Sequence, residues 1–91
     1  MKLTYTRHAG RDLARLYDFI HQKNPQAARN ASRQLKKNIE CLIEQPLMGT
    51  TVPELEEFRE LVAHDYIVRY RVLPDEIVIL NVWHVKEDRE G

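Results

Sequence analysis

Two arginines, Arg69 and Arg71, stand inside the run Tyr66-Ile-Val-Arg-Tyr-Arg-Val72, and a Trp83-His84 pair closes the next run, Ile77-Val-Ile-Leu-Asn-Val-Trp-His84. A guanidinium grips a phosphate or a carboxylate through its fork of donors, and an imidazole exchanges a proton near neutral pH. Arg59 adds a third cation in the preceding apolar stretch. Taken alone, His84 says little, because a single histidine at a strand end is more often hydrogen-bonded structure than a catalyst. His8, His21 and His64 show no paired spacing for a metal, and the lone Cys41 excludes an internal disulfide. No metal or cofactor is expected.

The elements that must position these residues are set by spacing. Lys2 to Tyr5 alternates as a short strand, and Thr6 can cap a helix starting at Arg7. From Arg7 to about Lys23, Ala9, Leu13, Leu16, Tyr17 and Ile20 recur at helical spacing. Asn24-Pro25 ends that helix and starts a second, with Ala28, Ala31, Leu35, Ile39, Leu42 and Ile43 on one face, running to just before Pro46. So short a break folds the pair back as a helical hairpin. Pro46 to Pro53 reads as a connecting loop and Glu54-Leu-Glu-Glu as a single turn. Phe58 to Ala63 reads as a strand, His64-Asp65 as a tight connection, and the tail from Lys86 to Gly91 as charged and expected to fray.

The order is β-α-α-β-β-β, an α+β domain with the hairpin packed on one face of a small, mainly antiparallel twisted sheet. Residues 1–91 form one domain. Within the 66–72 strand, Tyr66, Val68, Tyr70 and Val72 share the face that meets the helices, while Ile67, Arg69, Arg71 and Leu73 share the other. Trp83 reads as core or rim packing, and Cys41 as a buried or half-buried thiol within the second helix.

Composition is that of a globular chain, 43% apolar and 31% charged. No apolar run approaches the roughly 18 residues that span a bilayer, and no signal-peptide region opens the chain, so a cytoplasmic protein away from membranes is expected. Net charge is zero but uneven. Nine Lys/Arg face four acids up to Gln45, and five face ten from Pro46 onward. Arg7, Arg11 and Arg15 form a stripe at i, i+4, i+8, and Arg29 and Arg33 with Lys36 or Lys37 form another. The stripes suit an acidic partner, against the plainer reading of a solvated face paired with Asp12, Asp18 and Glu40.

In order along the chain, Pro46-Leu-Met-Gly49, Phe58-Arg-Glu-Leu61, Tyr66-x-x-x-Tyr70-Arg-Val72 and Val82-Trp-His84 resemble the RelE/ParE family of bacterial toxins, from Leu3 to about His84. That resemblance implies the toxin of a type II toxin–antitoxin pair, of the kind linked to plasmid stabilization, neutralised by a cognate antitoxin. A homodimer or a hetero-oligomer with the antitoxin is in keeping with it. The family holds two activities: RelE-like members cut mRNA in the ribosome, and ParE-like members inhibit DNA gyrase.

RNA cleavage needs a base for the 2′-OH, an acid for the leaving oxygen and cations for the phosphate. The residues for it are His84 as acid or base, Arg59, Arg69 and Arg71 as clamps, and Glu54, Glu56 or Glu57 as base. Nuclease relatives have a strongly cationic sheet face, often with an arginine at the start of the third strand, where Tyr66 or Ile67 stands here. An acidic sheet half repels RNA. The ParE-like branch, a gyrase inhibitor that acts by binding, is therefore the leading expectation, with the ribosome-dependent mRNA endonuclease as alternative. Ile67, Arg69, Arg71, Leu73 and Trp83 are the expected partner-binding set, since mixed apolar anchors and cations suit an antitoxin helix.

Overall fold

The structure is a computed structural model and describes residues 1–86. The expected frayed tail past Lys86 therefore lies outside the described residues. Strand β1 (Lys2–Tyr5) leads into helix α1 (Arg7–Lys23) and helix α2 (Pro25–Glu40), followed by a 3-10 turn over Cys41–Ile43. Strands β2 (Thr50–Val52), β3 (Leu55–Ala63), β4 (Tyr66–Val72) and β5 (Glu76–His84) complete one five-stranded sheet ordered β1-β5-β4-β3-β2. The β1–β5 pair is parallel and the others antiparallel, so the sheet is mixed.

Both helix boundaries are set by capping chemistry. The Thr6 hydroxyl accepts from Ala9 N, and the Asn24 side chain accepts from Ala27 N directly ahead of Pro25. The amphipathic stripes bury Leu16, Leu35, Ile39 and Leu42 against Val68, Tyr70, Ile77, Ile79 and Val82 of the sheet. Tyr66 and Val72 pack on the margin of this core, so the even-numbered face of β4 meets the helices as its alternation requires.

Three expectations need correction. The 46–53 segment is not all loop, because Thr50–Val52 pairs with β3 across the Pro53-Glu54 turn. Residues 54–57 are not a helical turn; Glu54 sits at φ 70° in the hairpin and Leu55 opens β3. Acidic residues are poor strand formers, and here pairing with a neighbour overrides their preference. Third, α2 stops at Glu40, and Cys41 lies on the 3-10 turn with its side chain exposed rather than packed inside the helix.

One contact fixes how the hairpin sits. Strand β1 covers β5 only from Glu76 to Ile79, leaving the backbone of residues 80–84 without a strand on that side. The start of α1 takes over. Thr6 N donates to Ile79 O, the Thr6 hydroxyl donates to Leu80 O, and the buried Asp12 carboxylate accepts from Val82 N at 2.9 Å. Asp12 also lies 3.2 Å from His8 Nδ1 and 3.6 Å from Arg15 Nη2. It is thus an anchor and not part of a solvated face. A strand edge is closed here by a helix.

Asp12→Ala leaves the Val82 amide buried without an acceptor, and is expected to cost about 1–3 kcal/mol in urea unfolding. Asp12→Asn keeps an acceptor and should cost less; equal losses would show that the bond to Val82 is not what Asp12 supplies.

Candidate functional site

The face of the sheet away from the helices carries two of the cations singled out by the sequence, Arg69 and Arg71. Cross-strand register sets Ile67 opposite Trp83 and Val62, Arg69 opposite Asn81 and Glu60, and Arg71 opposite Val78 and Phe58. Arg69 donates through Nε and Nη2 to Glu60 Oε2 at 3.0 and 2.7 Å, and its guanidinium lies 5.5 Å from the centre of the Trp83 ring. Arg71 reaches Glu57 Oε2 at 3.6 Å on the exposed surface. Of the expected partner-binding set, Ile67, Arg69 and Trp83 form one patch, Arg71 extends it, and Leu73 lies past the end of β4.

A register shift decides where the closing pair points. Arg69 faces Asn81, yet Tyr70 faces Ile79, so Leu80 is an extra residue in β5. Ile77 and Ile79 face the helices before the bulge, and Val82 faces them after it. Trp83 is thereby turned to the open face beneath Arg69, rather than into the helix-side core, at 7% exposure. His84 falls on the helix side, edge-on to Tyr66 with ring centres 5.4 Å apart. Its Nδ1 accepts from Lys86 N at 3.0 Å, which leaves Nε2 carrying the proton of the neutral ring.

His84 belongs to a groove of about 720 Å³ between α1 and the β4–β5 end of the sheet, lined by Arg15, Leu16, Phe19, Ile20 and Tyr66. Phe19 is 60% exposed there, with the Lys23 ammonium 4.9 Å from its ring centre. Of the residues expected to serve a nuclease, His84, Arg59 and Arg71 are not brought together. His84 pairs with Tyr66 at one end of β4, whereas Arg71 lies five residues along the strand and on the other face. At about 3.4 Å per residue that is roughly 17 Å.

Arg59 has a different task. It faces the helix side beside Tyr70, and its Nη1 donates to Gly49 O at 2.7 Å and to Leu47 O at 3.4 Å. The Tyr70 hydroxyl donates to Pro46 O and accepts from Gly49 N, at 2.8 and 2.9 Å. Pro46-Leu-Met-Gly49 is therefore a loop latched from below by two side chains. A Cβ at Gly49 would stand 2.7 Å from the Tyr70 hydroxyl and 2.8 Å from Glu60 O, so only glycine fits. Arg7, Arg11, Arg15, Arg29 and Arg33 are all exposed on the helices, as their stripes require. Among the described residues, no three His, Cys, Asp or Glu side chains are grouped as metal ligands, and no helix is long and apolar enough to cross a membrane.

Comparison with known proteins places this geometry. The family described as ParE toxin of type II toxin-antitoxin system, parDE, matches residues 3–89, nearly the whole chain. The chain belongs to the ParE toxin family. Toxin RelE1 and Toxin RelE3 of Caulobacter vibrioides are 30% and 33% identical to it over 83 and 85 residues. Each alignment covers 89% of this toxin, and 89% and 90% of those relatives. Among solved structures, the chromosomal ParDE TA system from P. aeruginosa superposes with a TM-score of 0.80 at 27% identity, covering 92% of the toxin and 95% of that chain. The resemblance seen in the motifs and the α+β fold expected from them are both borne out.

Burial holds the Tyr70 phenol protonated above the ordinary tyrosine value of 10.0, against smaller opposing effects of the Gly49 amide and Arg59. Above that pH the unfolded chain ionises first and binds fewer protons, so stability falls as pH rises towards the folded-state value. Tyr70→Phe is expected to cost about 1–3 kcal/mol at neutral pH by orphaning the Gly49 amide. It should also flatten the alkaline fall in a series of urea melts, leaving the share of Tyr5, which burial and then Glu40 shift the same way. An unchanged alkaline slope would contradict this assignment.

Proposed function

We propose that the toxin arrests growth by binding DNA gyrase, as a ParE-like member, and that a cognate antitoxin neutralises it from the open face of the sheet. The observation that carries this reading is how the cations are used. Arg59 is committed to the carbonyls of the 46–49 loop, Arg69 to Glu60 and Trp83, and Arg71 to Glu57. A ribonuclease needs such cations converging on one phosphate beside its proton donor, whereas His84 stands on the opposite side of the sheet from Arg69 and Arg71, and Arg59, on its own side, is taken up by the 46–49 loop. Glu60 and Glu57 stand beside Arg69 and Arg71, which lowers the attraction of this surface for RNA. A surface of paired cations around apolar side chains suits protein contact instead.

In this proposal the antitoxin covers Ile67, Arg69, Arg71 and Trp83, with Leu73 at the edge. The ParDE name of the solved neighbour from P. aeruginosa supports a partner of this kind. An amphipathic antitoxin segment would set apolar side chains on Ile67 and its neighbours and carboxylates beside Arg71.

A second reading keeps its place because both Caulobacter relatives are called RelE. In it, His84 supplies the proton for ribosome-dependent mRNA cleavage, with Arg59 and Arg71 as clamps. Purified toxin on programmed ribosomes decides it: cleavage abolished by His84→Ala would establish the endonuclease.

Two measurements test the proposal. Gyrase supercoiling should fall as toxin is added and recover with antitoxin, and unchanged supercoiling at excess toxin would overturn the target. In calorimetric titration with antitoxin, Ile67→Ala and Arg71→Glu should each weaken binding by about 1–2 kcal/mol, while Arg33→Glu leaves it unchanged. Equal affinity for all the variants would move the antitoxin off this face.

A further inference from the structure

The neutral chain is divided into two layers of opposite charge. Residues 7–40, the helical layer, hold eight Lys/Arg against three acids, and one of those acids is the buried Asp12. Residues 50–84, the strands β2–β5 and their turns, hold three Lys/Arg against seven acids. The two layers also differ in how their cations are engaged. Arg69 and Arg71 each have a carboxylate partner, whereas among the described residues Arg7, Arg11, Arg33, Lys36 and Lys37 have no carboxylate oxygen within 4.0 Å.

The outer surface of α2 concentrates this excess. Arg29, Arg33, Lys36 and Lys37 are exposed along about 12 Å of helix, at about 1.5 Å per residue. The exposed residues beside them are carboxamides: Gln26, Asn30 and Gln34. Arg29 Nη2 donates to Gln26 Oε1 at 2.8 Å, which holds that guanidinium along the helix. At the same end of the hairpin as Lys36 and Lys37, the antiparallel α1 presents exposed Arg7 and Arg11.

The chemistry of this bank selects its ligand. It has no apolar or aromatic residue between Gln26 and Lys37 on the exposed side. A protein interface requires apolar anchors, and an interfacial membrane helix requires an apolar face. Single-stranded nucleic acid is held largely by stacking on aromatic rings, which the bank lacks. Cations interleaved with carboxamide donors are what the phosphate backbone of a duplex takes. We infer that the outer face of α2, extended by Arg7 and Arg11, is a docking surface for the phosphate backbone of duplex DNA. The choice of DNA among duplexes rests on the gyrase reading, since gyrase holds duplex DNA; the phosphate docking does not. The surface lies on the other side of the molecule from the antitoxin face, so both can be occupied together.

Fluorescence anisotropy of a labelled duplex of about 20 base pairs, titrated with toxin alone between about 25 and 150 mM salt, tests this without gyrase. Six phosphates neutralised, one for each of Arg7, Arg11, Arg29, Arg33, Lys36 and Lys37, give a slope of log K against log salt near −5.4, at about −0.9 for each. Arg33→Glu/Lys36→Glu/Lys37→Glu is expected to weaken binding at low salt by about tenfold or more and to bring the slope near −2.7. Arg33→Lys/Lys36→Arg/Lys37→Arg should bind as the parent does, since the contact is with phosphate and not with bases. If the triple charge reversal melts below the parent, the single changes Arg33→Gln, Lys36→Gln and Lys37→Gln carry the test, each reducing the slope by about 0.9. No binding at low salt, or binding indifferent to these changes, overturns the surface. Tighter binding to duplex RNA or to a single strand overturns the ligand. A toxin that binds DNA here yet leaves supercoiling untouched would uphold the docking surface and remove gyrase alone.

Discussion

The Asp12 carboxylate beneath Val82 N is the constraint on which the arrangement rests. A four-residue β1 cannot cover a nine-residue β5, so about half of the backbone of β5 would be left open on one side. The first turns of α1 close that gap, with Thr6 serving two ends at once: its hydroxyl caps the helix and donates to Leu80 O. The hairpin can then sit in one way only. The groove beside His84 is a consequence, because α1 must cross the end of the sheet where β1 has stopped.

The bulge at Leu80 acts together with that anchor. By reversing the alternation of β5, it sends Trp83 to the open face and His84 to the helix side. One extra residue thus separates the imidazole from Arg69 and Arg71, with which it would have to cooperate in a nuclease. It also gives the open face an indole platform, on which Arg69 is held between Trp83 and Glu60. Catalysis and recognition make different demands on charge. Catalysis wants unpaired cations converging on one point, whereas recognition tolerates cations already paired and spread over a surface. The sheet has the second kind, and unpaired cations collect on the helices.

Much of the fold was legible because local chemistry and tertiary packing agree. Thr6 and Asn24-Pro25 mark the helix starts, and the alternation of β4 assigns its core face. Legibility failed where long-range partners decide. Thr50–Val52 and the acidic start of β3 become strand only by pairing with each other and with β4, so their weak propensities misled. Cys41 read as helical and packed because the apolar spacing continues past it; the chain instead tightens to a 3-10 turn there and turns the thiol outward.

At the site, the partner of each arginine was hidden, since the latch on Gly49 spans ten residues from Arg59 and twenty-one from Tyr70. Asp12 left a usable signal. It stands three residues from Ala9 and four from Leu16, on the apolar stripe, where a carboxylate must find a buried donor.

The central claim is that this toxin works through surfaces and not through His84. Its most direct test is induced expression of His84→Ala in bacterial cells without antitoxin, scored by growth and by the amount of folded protein. The account predicts arrest equal to that caused by the parent chain. Normal growth with a folded, antitoxin-binding His84→Ala would contradict it and return the imidazole to the centre of the mechanism.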